Sequence, residues 1–265
     1  MKLNHIRISA ISYINTIPFI YGIRHAGYLS AKSKSCSNKK SYSLTLDVPS
    51  VCAKNLLTNK TDIGIAPVVV IPRLKKYHII SDFCIAADGP IRTVMLYSEV
   101  PINNIRSIYL DYQSETSVML VRLLAKNWWK ISPDWIEAKK GYEKKIKGTT
   151  AGIIIGDRNF SLLRKYKFEY DLSSEWKMFT GFPFVFACWI ANKDIDKDFV
   201  LSFCKSLKYG VANKEEAVKL METRYDKKML NDYLNNYVKY RMDKTKKNGM
   251  ELFLKLCEEL CENEK

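Results

Sequence analysis

Groups of small polar residues follow several apolar runs of this sequence, and chemistry is most readily placed there. Serine and threonine hydroxyls, asparagine amides and the free backbone N–H groups of a helix start donate hydrogen bonds to carboxylates. The groups are Ser12 to Thr16, Asp88 with Gly89, Ser114 with Thr116 and Ser117, and Gly156 with Asp157. These residue types indicate a protein that binds a small anion, and they leave its reaction open.

Two of these groups also suit the first turn of a helix. Asn15 and Thr16 precede Pro18, and proline is favoured at the first helical positions, so their side chains could cap that helix or face a ligand. The sequence leaves these two alternatives open. Ser114 is predicted to cap a second helix, with Glu115 in its first turn.

Several enzyme classes are disfavoured because their motifs are missing from the sequence. It has no G-x-G-x-x-G after a strand, no Walker loop, no H-E-x-x-H, no G-x-S-x-G and no spacing typical of a metal site. The histidines His5, His25 and His78 are expected at the surface or at strand edges. The seven cysteines are scattered without a C-x-x-C, which is typical of reduced thiols. We therefore expect neither a metal nor an organic cofactor.

Composition places the chain among globular proteins with a solvated basic surface. Of its 265 residues, 47% are hydrophobic, which is enough for one large core or two smaller ones. The net charge of +15 comes mainly from lysines scattered along the chain, so we expect no nucleic-acid partner. No segment resembles a signal peptide, and the longest apolar stretch, Phe182 to Ala191, is much shorter than the ~20 residues that span a membrane. We predict a cytoplasmic protein without a membrane partner, and the sequence does not fix its oligomeric state.

The elements that would position the polar groups are strands alternating with helices. The predicted strands are Ile6 to Ser12, Ser43 to Val48, Asp62 to Ile71, Arg92 to Ser98, Ser107 to Asp111, Ala151 to Asp157 and Phe182 to Ala191. The predicted helices are 50–59 and 117–129, followed by four amphipathic helices without a further strand at 197–209, 214–224, 227–241 and 246–261. The pattern is that of an α/β protein with a helical C-terminal tail.

Two of the predicted strands, near residues 95 and 187, follow Gly-Pro or Gly-x-Pro turns and bound a self-contained α/β block. We interpret them as crossings between two lobes, the first formed by residues 1–92 and 190–265 and the second by residues 93–189. Ligands of such proteins bind at the carboxyl ends of strands and at lobe interfaces. The polar tract from Ser30 to Ser43 is predicted to be an exposed loop.

Seven longer segments can be compared with known families. They are SYINTIPFIYG (12–22), DVPS (47–50), TDIGIAPV (61–68), ADGPIRTVMLYS (87–98), LDYQSETSVML (110–120), IIIGDRNF (153–160) and TGFPFVFACWIANK (180–193). In this order they resemble the chorismate dehydratase family of the futalosine route to menaquinone. The resemblance covers most of residues 6–193. It implies a two-lobed, periplasmic-binding-protein-like type 2 fold with chorismate in the cleft, and a product, 3-[(1-carboxyvinyl)oxy]benzoate, formed by loss of water.

The same resemblance implies roles for individual residues. Asn15 stands where the family has its key active-site asparagine. The implied substrate-binding residues are Ser12, Ser50, Asp88, Gly89, Ser114, Thr116, Ser117, Gly156 and Asp157. Glu115 departs from the family pattern, in which an arginine is expected. If the family's arginine contacts a substrate carboxylate, the negative charge of Glu115 at the same position would repel that carboxylate. We favour a solvent-facing Glu115 that stabilises the helix start, because the flanking serine and threonine are intact.

The implied chemistry suits a site without a metal or a strong base. Chorismate loses the hydrogen of the ring carbon that bears the enolpyruvyl ether, together with the adjacent hydroxyl, and the aromatic product drives the step. The protein must hold the dianion, stabilise the charge delocalised into the ring carboxylate and place a base near that hydrogen. The candidate bases are Asp157, Asp88 and the substrate's own side-chain carboxylate. We favour the substrate carboxylate, oriented by Asn15, since an asparagine amide is not a base.

Two other functions are compatible with parts of the sequence. A 1,4-dihydroxy-6-naphthoate synthase of the same route shares the implied fold, but SYINT argues against it. A non-catalytic intracellular protein that binds a small carboxylate is the other alternative. Arg92 and Arg158 follow turns near the predicted site, where each is either a carboxylate-binding group or plain surface.

Overall fold

The structure, a computed structural model, describes residues 5–29 and 41–263. Its strands are β1 (His5–Ile11), β2 (Ser41–Asp47), β3 (Ile63–Pro67), β4 (His78–Ala87), β5 (Val94–Ser98), β6 (Ser107–Leu110), β7 (Asp134–Glu137), β8 (Thr150–Ile155), β9 (Phe168–Asp171), β10 (Phe184–Ala191) and β11 (Lys239–Arg241). Its α-helices are α1 (Ile17–His25), α2 (Pro49–Leu57), α3 (Glu115–Leu124), α4 (Leu172–Thr180), α5 (Lys197–Ala212), α6 (Lys214–Lys219), α7 (Lys227–Asp232) and α8 (Lys244–Asn263). The predicted α/β class is confirmed.

The chain divides into two compact units. The first contains Met1–Ala86 and Ala187–Asp243, and the second contains Ala87–Phe186 and Lys244–Lys265. The chain therefore passes between the units at the end of β4, within β10 and again before α8. This differs from the expected crossing near residue 95, because β5 lies wholly in the second unit.

The first unit is built on a six-stranded sheet with the order β11-β4-β10-β3-β1-β2. β1 runs parallel to β2 and to β3, whereas β10 runs antiparallel to β3. All five residues of β3 are buried, as expected for an apolar strand covered on both faces. Because β1, β2 and β3 are parallel, the segments that follow them leave the sheet at the same edge.

Helices α1 and α5 of the first unit cross in direct backbone contact. A Cβ added at Gly22 would lie 2.0 Å from the carbonyl oxygen of Ser206, and one added at Gly210 would lie 1.8 Å from that of Pro18. Real Cβ atoms do not approach oxygen so closely, so glycine is required at both positions. The crossing fixes the position of α1 and thereby of the segment that leads into it from β1.

A buried carboxylate links the two chain segments that form the first unit. Asp62 accepts hydrogen bonds from the backbone N–H and the guanidinium of Arg7, each at 2.8 Å, and it pairs with Lys193 at 2.8 Å. Its side chain is 1% exposed. Burial favours the neutral acid, but the hydrogen bonds from Arg7 and Lys193 outweigh it and lower the pKa of Asp62 to about 2.

This lowered pKa predicts a loss of stability in acid. Asp62 ionises at a lower pH in the folded protein than in the unfolded chain, so its stabilisation is complete above about pH 4 and is lost as the pH falls toward about 2. We expect Asp62→Asn to lower the free energy of unfolding by about 2 kcal/mol at pH 6 and by much less at pH 2.5. Urea unfolding of both proteins at each pH measures this, with Asp82→Asn at an exposed position as control. If Asp62→Asn lowers the free energy of unfolding equally at both pH values, the result contradicts a lowered pKa of Asp62.

The second unit is built on a five-stranded sheet with the order β7-β6-β8-β5-β9. β6 runs parallel to β7 and β8, and β5 runs antiparallel to β8 and β9. The carboxyl ends of β6, β8 and β9 and the start of β5 therefore share one edge. Helix α8 belongs to this unit, although the sequence placed it with the first lobe. Its Phe253 packs edge to face against Trp176 and Phe184, with ring centroids 5.9 and 5.0 Å apart.

Several elements differ from the sequence-based prediction. Strands β4, β7 and β9 were not predicted, and β11 replaces the end of a predicted helix over 227–241. In β11, Lys239 pairs with Ala86 and Arg241 with Phe83 of β4, so tertiary pairing overrides the local helical pattern. Of the polar tract predicted as a loop, residues 30–40 lie outside the described residues, and Ser41–Ser43 form the start of β2. No helix in the described ranges is long and apolar enough to cross a membrane.

Candidate functional site

Three polar residues predicted from the sequence lie at the carboxyl edge of the first unit's sheet. Ile11, at the end of β1, pairs with Asp47 at the end of β2. The backbone N–H of Ser12 donates to the carbonyl of Asp47 at 2.8 Å. Ser50 is in the first turn of α2, and Asn15 lies between β1 and α1. The structure therefore brings Ser12, Asn15 and Ser50 to one edge of the sheet.

Asn15 lies in a single turn of 3-10 helix, where its main chain is fixed and one side-chain atom lacks a partner. The hydroxyl of Tyr240 donates to the Asn15 carbonyl at 2.9 Å. The N-cap of α1 is Thr16, whose hydroxyl donates to the carbonyl of Tyr13 at 2.7 Å and makes no capping bond. The capping alternative is therefore wrong for Asn15. Its amide oxygen is buried and accepts no hydrogen bond from any residue that the structure describes. A buried acceptor of this kind requires a donor that the described residues do not supply.

The remaining predicted site residues collect at the shared edge of the second unit's sheet. They are Asp88 and Gly89 before β5, Ser114, Thr116 and Ser117 after β6, and Gly156 and Asp157 after β8. Two α-helices, α3 and α4, also begin at this edge, after β6 and β9. Helix starts present backbone N–H groups and positive partial charge, which favour anions.

The start of α3 has the predicted cap. The Ser114 hydroxyl accepts from the backbone N–H of Ser117 at 3.3 Å and lies 3.0 Å from the Ser117 hydroxyl. Thr116 and Ser117 are each 1% exposed, and Glu115 is partly exposed at the first helical position. The capping role of Ser114 is confirmed, and both serine hydroxyls are engaged at the helix start.

Asp171 holds the turn that contains Asp88 and Gly89, and the sequence analysis missed it. One of its carboxylate oxygens accepts from the backbone N–H groups of Ile91 at 2.9 Å and Arg92 at 2.6 Å. The other accepts from the backbone of Ser173 and Ser174 and so caps α4. Burial raises the pKa of Asp171 to about 6, although the four N–H donors favour its charged form. The sequence Asp171-Leu172-Ser173-Ser174, an aspartate just before a helical pattern, was the available signal.

Asp88 itself is exposed at this turn. Its carboxylate lies 2.8 Å from the ammonium group of Lys177. Gly89 has a φ of 98°, in the left-handed region that favours glycine. The turn is thus held by Asp171, while Asp88 pairs with a lysine of α4.

Asn159 fixes the loop of Gly156 and Asp157. It is fully buried, and its amide N–H groups donate to the carbonyls of Thr93, Ile154 and Gly156 at 3.0 to 3.2 Å. The hydroxyl of Tyr97 donates to its amide oxygen at 2.9 Å. Asn159 therefore sets the backbone of Gly156, and Asp157 is partly exposed beside it.

Arg158 lies in a network of buried and half-buried polar groups rather than at the plain surface. Its guanidinium donates to the carboxylate of Asp111, to Glu143 at 2.7 Å and to Gln113 at 3.3 Å. The hydroxyl of Tyr142 donates to the same Asp111 oxygen at 2.8 Å. Burial raises the pKa of Asp111, while the charge of Arg158 opposes that rise. The surface alternative for Arg158 is therefore wrong.

This network predicts different consequences for the two arginines. Lysine cannot reach Asp111, Glu143 and Gln113 at once, so Arg158→Lys should lower the free energy of unfolding by about 1–2 kcal/mol. Arg92→Lys, at an exposed side chain, is the matched control and should stay within about 0.5 kcal/mol. Urea unfolding of both variants measures the difference. Equal stability of the Arg158→Lys and Arg92→Lys proteins would contradict a structural role for the Arg158 guanidinium.

The histidines lie apart from these groups. His5 is exposed at the start of β1 and lies 2.7 Å from the Ser41 hydroxyl, and His78 is exposed at the start of β4 and lies 3.0 Å from Asp194. His25 is exposed and stacks on Tyr21. Their predicted surface or edge positions are confirmed. Within the described residues, no group of three or more His, Cys, Asp and Glu side chains is arranged to hold a metal ion.

Comparison of the chain with known protein families gives a match over most of its length. A family model described as menaquinone biosynthesis matches residues 6–259, which is nearly the whole chain. The match includes both units and every predicted site residue.

Solved structures similar to this chain have the periplasmic-binding-protein-like fold. Protein AF1704 from Archaeoglobus fulgidus has a TM-score of 0.75 and 13% identity, with 97% of each chain covered. The Candida albicans CA3427 gene product, described as having the generic periplasmic binding protein fold, has a TM-score of 0.62 and 13% identity over 96% of this chain and 90% of that chain. The aliphatic sulphonate binding protein SsuA from Escherichia coli has a TM-score of 0.56 and 12% identity over 98% of this chain and 92% of that chain. The predicted fold is confirmed.

Proposed function

Because the chain belongs to the menaquinone biosynthesis family, we propose that it is an enzyme of that pathway, a chorismate dehydratase. The proposed reaction removes the hydrogen from the ring carbon that bears the enolpyruvyl ether and expels the hydroxyl of the neighbouring carbon as water. The electron pair of the broken C–H bond completes the aromatic ring of 3-[(1-carboxyvinyl)oxy]benzoate. No electron is gained or lost overall, so the step requires no oxidant or reductant.

One observation carries this proposal, the buried amide oxygen of Asn15 that lacks a hydrogen-bond partner among the described residues. Leaving such an acceptor unpaired costs free energy unless a ligand donates to it. The Tyr240 hydroxyl holds the main chain from which the Asn15 amide projects. In our proposal the amide oxygen accepts from the substrate hydroxyl and the amide N–H groups hold the side-chain carboxylate in position to take the ring proton.

The carboxylates of the substrate need hydrogen-bond donors, and the first unit offers two serine hydroxyls at the same sheet edge as Asn15. Ser12 and Ser50 are exposed or partly exposed there. In the second unit, the start of α3 is itself a group that favours a carboxylate, because helix starts carry positive partial charge. Glu115 then faces solvent at the first position of α3, where its charge favours the helix start.

The base in this proposal is the substrate's own carboxylate. The carboxylate of Asp88 is paired with the ammonium group of Lys177 at 2.8 Å, so we do not assign the proton transfer to it. Asp157 is retained as the alternative base, because it is partly exposed beside Gly156.

Incubation of the purified protein with chorismate tests the proposal. We expect the diene absorbance of chorismate to disappear at a rate proportional to the protein concentration. A 1,4-dihydroxy-6-naphthoate synthase would leave chorismate unchanged. A non-catalytic carboxylate-binding protein would give a heat of binding in calorimetry without consuming the ligand. Either of these results would contradict the dehydratase proposal and favour the corresponding alternative function.

A further inference from the structure

The second unit contains a cavity at the end of α3. It has a volume of about 440 Å³, within the range of small-molecule sites. Its walls include side chains from the end of α3, from the π-helical turn at 125–129 and the residues after it, from β7 and from α8. They include Arg122, Lys126, Lys130, Ser132, Trp135 and Leu260. We name this space the Trp135 cavity.

The Trp135 cavity is separate from the candidate site residues of its own unit. α3 begins at the edge of the sheet where Ser114 caps it, and the cavity surrounds the opposite end of that helix, where the chain leads into β7. None of the site residues predicted from the sequence lines it. A ligand bound in the cavity would therefore leave the carboxyl edge of the sheet unoccupied.

Three cations converge on the cavity. Arg122, Lys126 and Lys130 are spaced four residues apart, and all three line the same space. None of the described side chains that line it is acidic. A concave surface that carries one sign of charge concentrates counter-ions.

One wall of the cavity is aromatic. The guanidinium of Arg122 lies over the indole ring of Trp135, 5.3 Å from the ring centroid. A guanidinium stacked on an indole ring is attracted to its π face, and this contact places the positive charge of Arg122 at the aromatic wall. Leu260 of α8 is 5% exposed and contributes an apolar surface. Ser132 supplies a hydroxyl that can donate to an anion.

We propose that the Trp135 cavity is a second ligand site, and that it binds a small aromatic anion bearing a phosphate or carboxylate group. The cations neutralise the anionic group, and the indole and leucine surfaces contact the ring. The charged wall alone would bind free phosphate equally well. The apolar wall alone would bind a neutral arene equally well. This inference is independent of the reaction proposed above.

Calorimetric titration with three probes tests the site. Phenyl phosphate carries both features, inorganic phosphate carries only the charge, and phenol carries only the ring. We expect phenyl phosphate to bind at one site, inorganic phosphate to bind at least about tenfold more weakly, and phenol to show no saturable binding. Phenol binding as tightly as phenyl phosphate, or no saturable binding of phenyl phosphate, would overturn the proposal.

Paired variants locate the binding. The double substitution Lys126→Gln with Lys130→Gln, at exposed side chains, should weaken phenyl phosphate binding by about tenfold or more. Lys139→Gln with Lys140→Gln removes the same charge from exposed positions outside the cavity and should change it by less than about twofold. The Asn15→Ala protein should bind phenyl phosphate unchanged, which separates this site from the one proposed for chorismate. Equal effects of the two lysine pairs would overturn the proposal, as would loss of binding in Asn15→Ala.

Discussion

Asn15→Ala should lower kcat for chorismate by about two to four orders of magnitude while leaving the thermal midpoint nearly unchanged. The substitution adds no charge and removes the amide that, in the proposed reaction, orients the substrate. Because the amide oxygen has no partner among the described residues, its removal breaks no hydrogen bond that the structure records for it. Steady-state kinetics and thermal unfolding of the same preparation measure both effects.

Asn103→Ala is the matched control for this variant, because Asn103 is an exposed asparagine of the second unit. Its kcat and thermal midpoint should equal those of the original protein. The ordinary cost of a lost helix cap is about 1 kcal/mol with activity retained. An Asn15→Ala protein that is destabilised but fully active would therefore show that Asn15 is structural.

The second large effect is expected at the crossing of α1 and α5. Gly210→Ala places a methyl group where the backbone oxygen of Pro18 lies 1.8 Å away, and backbone cannot rotate aside as a side chain can. We expect a loss of about 3 kcal/mol or more in the free energy of unfolding, measured by urea denaturation. Gly22→Ala should act in the same way, because its Cβ would meet the Ser206 carbonyl at 2.0 Å.

Lys208→Ala on the same helix is the control for these glycine variants. Lys208 is exposed, and alanine is the better helix former, so its stability should change by less than about 0.5 kcal/mol. A Gly210→Ala protein as stable as Lys208→Ala would contradict the close backbone contact. Because α1 follows Asn15, a partly folded Gly210→Ala protein should also have a lower kcat.

Apolar patterning predicted most of the strands, and the missed strands have specific causes. β4 contains His78, Ser81 and Asp82 within its apolar run, which hides its strand character. β9 has four residues, all half-buried, and β11 has only three. Such short strands form because neighbouring strands pair with them, and a local pattern does not record that pairing.

The candidate site was predicted in part. Polar residues after apolar runs did gather at sheet edges, because parallel strands end on the same side. Sequence reasoning did not find the residues that hold those groups. Asp171 binds the backbone of Ile91 across 80 positions, and Tyr142 binds Asp111 across 31 positions. Contacts between residues so far apart leave no local pattern, and the Gly22–Gly210 crossing was missed for the same reason.

Mass spectrometry of the product from labelled chorismate tests the dehydratase proposal most directly. Chorismate would carry deuterium on the ring carbon that bears the enolpyruvyl ether. The proposal predicts 3-[(1-carboxyvinyl)oxy]benzoate without deuterium, with the label released to solvent, and a rate of product formation at least about a hundredfold lower for the Asn15→Ala protein. Unchanged chorismate, or a product that retains the deuterium, would contradict it.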